Sequence, residues 1–165
     1  MKLKSGRSNF FLFLTLFFLS LLLFSACDRG RIFEQNVEIP ETGWGSKNVI
    51  KLNVDIADKD VPADFYINVR NADGFPYSNL FLFVKTTFPD GKMLQDTLEC
   101  VLADAKGKWI GSGAGDIYDN QIPFKRNVRF PFTGKYTFEI QHGMRLDTIP
   151  LIMDVGLRIE KHKNK

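Results

Sequence analysis

The chain has 165 residues, of which 44% are hydrophobic, and a formal net charge of +3. Three of its 22 basic residues lie in residues 1–26, which hold no acid, so residues 27–165 carry 19 basic and 19 acidic side chains. Zero net charge removes the usual argument for a nucleic-acid partner, so we expect none. The local basic clusters at 125–129 and 161–165 are predicted to be a solvated strand face and a frayed end. The 139 residues after position 26 are enough for one domain with its own core.

The N-terminus has the three parts of a secretory signal. Lys2, Lys4 and Arg7 precede an apolar run at 10–24, and the small residues Ser25 and Ala26 follow it. Fifteen apolar residues are fewer than the roughly 20 that a membrane-spanning helix needs. Residues 1–26 are therefore predicted to be a cleaved signal peptide, and an uncleaved anchor is the alternative.

Cys27 directly follows this segment and is the predicted lipidation site. The sequence from Phe24 to Cys27 resembles a bacterial lipobox, although Phe24 replaces the usual Leu. Acyl chains such as palmitate would hold the protein on a membrane without a spanning helix. Cys100 would then have no disulfide partner, and its apolar surroundings predict a buried structural thiol.

The remaining chain is predicted to be all-β, an antiparallel sandwich of the jelly-roll or immunoglobulin-like type. Residues 27–48 show no sustained periodicity and are predicted to be a tether and lead-in. A single domain follows at 49–161, with a tail at 162–165. Hydrophobic alternation predicts strands at 50–56, 65–70, 93–102, 136–140 and 155–160. The continuous apolar run at 80–88 predicts a central strand covered on both faces, and 108–110 and 120–130 predict short or irregular strands.

Catalytic, metal and cofactor sites are not predicted. His142 could serve a hydrolase as a general base, but no nucleophile motif accompanies it, and His162 lies in the tail. One free cysteine and two distant histidines cannot supply a zinc site. The aspartates at 55, 58 and 60 are spaced for turns and not for a calcium loop, and the glycines of 111–115 lack the rest of a phosphate-binding motif.

Aromatic residues leave a second function open. An exposed set of rings could bind glycan or peptidoglycan, and its candidates are Trp44, Tyr66, Tyr77, Trp109 and Tyr118. Sixteen phenylalanines against two tryptophans and four tyrosines indicate, however, that most aromatic residues fill the core.

A family resemblance is spread along the chain from Cys27 almost to its C-terminus. The segments that carry it are 31–36 (RIFEQN), 66–71 (YINVRN), 77–83 (YSNLFLF), 96–100 (DTLEC), 107–113 (GKWIGSG), 125–131 (KRNVRFP) and 154–161 (DVGLRIEK). In their order and number they resemble the gliding motility lipoprotein H family (GldH) of the Bacteroidetes. The resemblance implies a non-enzymatic envelope lipoprotein needed by the gliding machinery, which is linked to type IX secretion. A narrower role in envelope assembly or secretion stays open.

Only the lipid site transfers from that family residue by residue, namely Cys27. We expect the protein on the outer membrane, facing the periplasm, with other gliding or secretion proteins as partners and without a small-molecule substrate. Exposed loops and strand edges of a lipid-tethered sandwich are suited to docking. Phe75, Tyr77 and Trp109 are the predicted partner surface, although Phe75 and Tyr77 could equally belong to the core.

Overall fold

The structure is a computed structural model, and it describes residues 30–113 and 115–163. All regular elements in these ranges are β-strands, so this part of the chain contains no helix that could cross a membrane. The strands are β1 (Arg31–Glu38), β2 (Trp44–Gly45), β3 (Ile50–Ile56), β4 (Ala63–Ala72), β5 (Asn79–Thr87), β6 (Met93–Val101), β7 (Ile117–Val128), β8 (Gly134–His142), β9 (Thr148–Ile149) and β10 (Ile152–Lys161).

Eight long strands form two antiparallel sheets. The first sheet has the order β1-β10-β4-β7 and the second has the order β3-β8-β5-β6, while β2 and β9 form a small ladder of their own. If the two short strands are left out, the orders become first-eighth-third-sixth and second-seventh-fourth-fifth, which is the jelly-roll arrangement. The prediction of an all-β antiparallel sandwich is therefore confirmed.

Alternation along the strands produces the core between the sheets. In β3 the residues Ile50, Leu52, Val54 and Ile56 are buried while the residues between them are exposed. Successive side chains of a strand point to opposite faces, so one face of β3 packs inward and the other stays in solvent. Valine, leucine and isoleucine side chains of β4 and β10 supply the other half of the core.

Tyr136 fixes the crossing from the first sheet to the second. Its ring is buried, and its hydroxyl donates to the backbone oxygen of Phe132 at 2.9 Å and accepts from the backbone nitrogen of Phe132 at 3.2 Å. This geometry is similar to the tyrosine corner of other β-sandwiches. It gives a buried phenol its hydrogen-bond partners where residues 129–133 connect β7 to β8.

The lead-in predicted for 27–48 is wrong from Arg31 onwards. Strand β1 pairs with β10 along its whole length, from Arg31 opposite Glu160 to Glu38 opposite Asp154. The sequence signal failed because β1 is an edge strand with an irregular register between Arg31 and Phe33, so its apolar residues do not alternate regularly. Strand β2 is also in this segment, and its two residues pair with β9.

Strand β5 is central, between β8 and β6, but the prediction that both of its faces are covered is wrong. Leu80, Leu82 and Val84 are buried, whereas Phe81 and Phe83 are 38% and 36% exposed. A two-layer sandwich covers only the inner face of each sheet, so every second residue of this apolar run meets solvent. The short strand predicted at 108–110 is a single bridge between Ala103 and Trp109.

Candidate partner-binding surface

An apolar patch lies where β5 begins and β8 ends. Phe81 and Phe83 project from the outer face of the second sheet, and the segment that follows β8 places Met144 and Leu146 beside Phe81. An open groove of about 390 Å³ is lined by Tyr77, Phe81, Met144 and Leu146, and Phe83 lies beside it on the same face of β5. We call Phe81, Phe83, Met144 and Leu146 the Phe81 patch.

Backbone contacts hold the two halves of the Phe81 patch together. The backbone nitrogen of Gly143 donates to the backbone oxygen of Phe81 at 2.7 Å, and the backbone nitrogen of Phe81 lies 3.5 Å from the sulfur of Met144. A Cβ atom at position 143 would lie only 3.0 Å from the ring of Phe83. Glycine at this position therefore allows the segment after β8 to pass close over the phenylalanines.

The three residues that were predicted as the partner surface do not share one exposed face. Phe75 is buried, and its ring packs edge-on against Tyr77 with the ring centres 5.6 Å apart. Half-buried Trp109 packs against the core, and its indole nitrogen donates to the carboxylate of Asp73 at 2.8 Å. Of these three residues, only Tyr77 lines the groove beside the Phe81 patch.

The sequence did contain a signal for the Phe81 patch. In an antiparallel strand with one solvent-facing side, an unbroken apolar run must expose every second residue. The run from Leu80 to Val84 was predicted to be covered on both faces. An exposed phenylalanine pair is the other arrangement that such a run allows, and the number of layers in the fold decides between the two. No sequence pattern predicts that Met144 and Leu146 belong to the patch, because they lie in the segment after β8 and not in a strand beside Phe81.

The candidate carbohydrate-binding aromatics do not form one surface. Trp44 is fully buried, its indole nitrogen donates to the backbone oxygen of Asn48 at 2.8 Å, and its ring packs edge-on against His142. Trp109 packs instead against Tyr118, with a centre-to-centre distance of 5.7 Å. A flat strip of exposed rings, which sugar stacking would need, is therefore not assembled from these residues.

A polar groove of about 410 Å³ lies on the outer face of the first sheet. Its charged groups are all paired. Arg70 contacts the carboxylates of Asp119 at 2.6 Å and Asp154 at 3.0 Å, and Glu34 contacts Arg158 at 2.8 Å. The amide nitrogen of Asn68 donates to Asn36 at 3.1 Å. The polar side chains that line the groove are thus engaged mainly in contacts with other side chains of the protein.

His142 is not placed to act as a general base on a substrate. Its ring is only 2% exposed, and within the described ranges no carboxylate or hydroxyl side chain hydrogen-bonds to either ring nitrogen. Burial lowers the pKa of His142, and the nearby backbone of Trp44 and Asp147 opposes this shift only in part. The side chain is a neutral core residue packed on Trp44.

Acid should therefore destabilise the fold through His142. The ring takes up a proton near pH 6.5 in the unfolded chain and only at lower pH in the folded one, so the unfolded chain binds more protons between the two pKa values. We expect the free energy of unfolding to fall below about pH 6.5, by at most about 1.4 kcal/mol per pH unit. Urea unfolding of wild type and His142→Gln across this pH range measures the effect, and the variant should lack this part of the slope.

His162→Gln is the matched control for that titration. His162 is the other histidine of the chain, and it contacts the carboxylate of Asp64 at 2.8 Å near the chain end. We expect the acid-dependent loss of stability to persist in this variant. If His142→Gln kept the full wild-type slope, the titrating group would have to lie elsewhere.

The two cysteines differ in what the structure describes. Cys100 is a free, buried thiol, as the sequence predicted, and burial raises its pKa to about 12. Cys27 lies outside the described residues. Between positions 30 and 163, Ala114 apart, no group of three or more histidine, cysteine or acidic side chains is placed to bind a metal ion. Asp58 instead accepts a hydrogen bond from the backbone of Asp60, as an aspartate in a turn does.

Comparison with known proteins gives a consistent result. The sequence model of the family described as GldH lipoprotein matches residues 31–159. The gliding motility lipoprotein GldH homolog of Christiangramia forsetii is 37% identical, over 96% of this chain and 99% of that protein. The gliding motility lipoprotein GldH of Flavobacterium johnsoniae is 31% identical, over 86% of this chain and 91% of that protein.

Among solved structures, a mutant VP2 protein of infectious bursal disease virus gives a TM-score of 0.31 at 12% identity. The match covers 82% of this chain and 32% of the viral chain. A similarity at this level carries no argument about either fold or function.

Proposed function

Because this chain belongs to the GldH lipoprotein family, whose matched relatives are named gliding motility lipoproteins, we propose that it is a non-enzymatic docking component of the gliding machinery. Its task is to hold a protein partner at the cell envelope. We further propose that residues 1–26 are removed on export and that lipid on Cys27 anchors the mature chain. The outer membrane, its periplasmic face and a link to type IX secretion belong to the same proposal.

The Phe81 patch is the observation that carries the docking role. The core is closed between the sheets, and Phe81, Phe83 and Leu146 are nevertheless large apolar side chains that remain exposed next to one another. Clustered exposed apolar side chains are typical of a surface that a protein partner covers. Two phenylalanines beside a shallow groove offer such a partner large apolar contacts that desolvate on binding.

Removing the aromatic pair tests this role. In a gliding host that lacks its own copy, Phe81→Ser with Phe83→Ser should abolish colony spreading, whereas the wild-type chain restores it. Both side chains already face solvent, so we expect the variant to accumulate in the envelope at the wild-type level. Spreading and envelope abundance are measured together, the second by immunoblot of membrane fractions.

Ile117→Ser with Met153→Ser is the matched control, because these apolar residues of the first sheet are each 39% exposed. The control should spread normally. Normal spreading of the Phe81/Phe83 variant would refute the Phe81 patch as the docking surface. Crosslinking in native envelopes, with Cys27→Ala as a second control, then identifies the partner that is lost.

A further inference from the structure

One end of the sandwich holds the start of the described chain. Strands β1 and β4 begin there and β7 and β10 end there, since Arg31 pairs with Glu160 and Ala63 pairs with both Lys161 and Val128. In the second sheet, β3 and β5 end there while β6 and β8 begin. We call this the anchor end. Its loops are residues 57–62, 88–92 and 129–133.

The distance from the anchor end to Cys27 is short. The backbone nitrogen of Lys161 donates to the backbone oxygen of Gly30 at 2.8 Å, so the chain is fixed to the fold from Gly30 onwards. Cys27 precedes Gly30 by three residues, and three extended residues span at most roughly 10 Å. A lipid on Cys27 would therefore hold the anchor end within about that distance of the membrane surface.

The anchor end carries an excess of exposed basic residues. They lie in its loops, its strand ends and the start of the tail, and they are Lys59, Lys92, Arg126, Arg129, Lys161 and Lys163. The acids exposed in the same loops and strand ends are fewer, namely Asp55, Asp58, Asp60 and Asp90. Asp90 already pairs with Lys92 at 3.1 Å. The surface is thus complementary to the phosphates of anionic lipid headgroups.

Large apolar side chains stand among these charges. Met93 is 68% exposed at the start of β6, its neighbour Leu94 is 44% exposed, and Phe132 in the loop between β7 and β8 is 41% exposed. Isolated exposed apolar residues need no explanation, but here they share one end of the fold with the basic cluster. Surfaces that lie in the headgroup region of a bilayer typically combine apolar side chains with flanking Lys and Arg residues.

We infer that the anchor end rests directly on a bilayer that contains anionic phospholipid, with Met93, Leu94 and Phe132 among the headgroups and the basic residues on their phosphates. This inference rests on the proposed lipidation of Cys27. It also sets the height of the docking surface, because Phe81 is six positions along β5 from Thr87 at the anchor end, a span of roughly 20 Å. The Phe81 patch would therefore lie well above the membrane surface.

Site-specific fluorescence quenching in vesicles tests this orientation. The full lipidated protein is reconstituted in phosphatidylethanolamine and phosphatidylglycerol vesicles that contain a headgroup nitroxide lipid. A fluorophore is placed by Phe132→Cys at the anchor end or by Leu146→Cys at the other end, two positions of similar exposure. Buried Cys100 should remain unlabelled in the folded protein, because its raised pKa and burial suppress reaction. We expect most of the fluorescence at position 132 to be lost and that at position 146 to be retained.

Equal quenching at the two positions, or none at position 132, would overturn the orientation while leaving the lipid anchor intact. Mass spectrometry of the same sample reports the anchor separately, and a chain without acyl groups would overturn both the anchor and the orientation. A flexible glycine-serine insert between Arg29 and Gly30 lengthens the tether. It distinguishes direct binding of the anchor end to lipid from closeness that only a short tether imposes. Quenching at position 132 should survive the insert and should weaken when Lys92→Glu and Arg129→Glu are added. Its loss on the insert alone would refute the lipid contacts.

Discussion

Replacing Trp44 by alanine should lower the free energy of unfolding by about 4 kcal/mol, which is typical for the loss of a large aromatic side chain from a core. Trp44 is fully buried, belongs to the main hydrophobic cluster and packs on His142. The substitution removes its hydrogen bond to Asn48 and leaves a cavity that neighbouring strands can fill only in part. Urea unfolding of the mature chain, followed by circular dichroism, gives the value.

Trp109→Ala is the matched control. Trp109 is half-buried and contributes a hydrogen bond to Asp73 and a ring contact with Tyr118. Its loss should cost about 1–2 kcal/mol, clearly less than the loss of Trp44. Equal and small effects of the two substitutions would mean that Trp44 is not a core residue, and glycan binding through Trp44 would then deserve a direct test.

Gly156→Ala should destabilise the protein by about 3 kcal/mol, at the upper end of what overpacking costs. Gly156 lies in β10 opposite Asn36 of β1 and Asn68 of β4. A Cβ atom there would overlap the side-chain oxygen of Asn36 and also the backbone oxygen of Gln35. Because one of these atoms is backbone, β1 itself must move away. We expect lower urea stability together with faster amide hydrogen exchange along β1.

Gly45→Ala provides the control for a glycine within a strand. A Cβ atom at Gly45 would meet the side chain of Asn48 at 3.4 Å, which is an ordinary contact. Its φ angle is not in the left-handed region, so alanine fits without backbone strain. We expect a change within about 0.5 kcal/mol. If β1 exchange were unchanged in Gly156→Ala, its close approach to β10 would not depend on this glycine.

Local patterns were enough to find most long strands. In β3 the buried and exposed residues alternate without interruption, so the sequence predicted its position and its inward face. The same reasoning missed β1, because an edge strand buries little and its irregular register breaks the alternation. The local sequence of residues 31–38 does not predict that these residues pair with residues 152–161.

The docking surface was harder to predict than the strands. Periodicity places Phe81 and Phe83 on one face of β5, but whether that face is covered depends on how many layers the whole fold has. Phe75 and Tyr77 were predicted as partner-binding residues from the sequence of their segment alone. Phe75 is buried by packing that only the assembled sandwich shows. Met144 reaches Phe81 across 63 positions of sequence, a contact that no local pattern encodes.

The strand order also bears on when the protein can fold. Strand β10 lies between β1 and β4, so the first sheet lacks one of its two inner strands, and β1 lacks its partner, until residues 152–161 are available. Pairing between the two ends of a chain is slow to form, because a long loop must close first. In the export proposed above, β1 would thus lack its partner until almost the whole polypeptide had crossed the membrane. A strand order that joins the two ends of the chain would in this way delay completion of the first sheet until translocation is nearly finished.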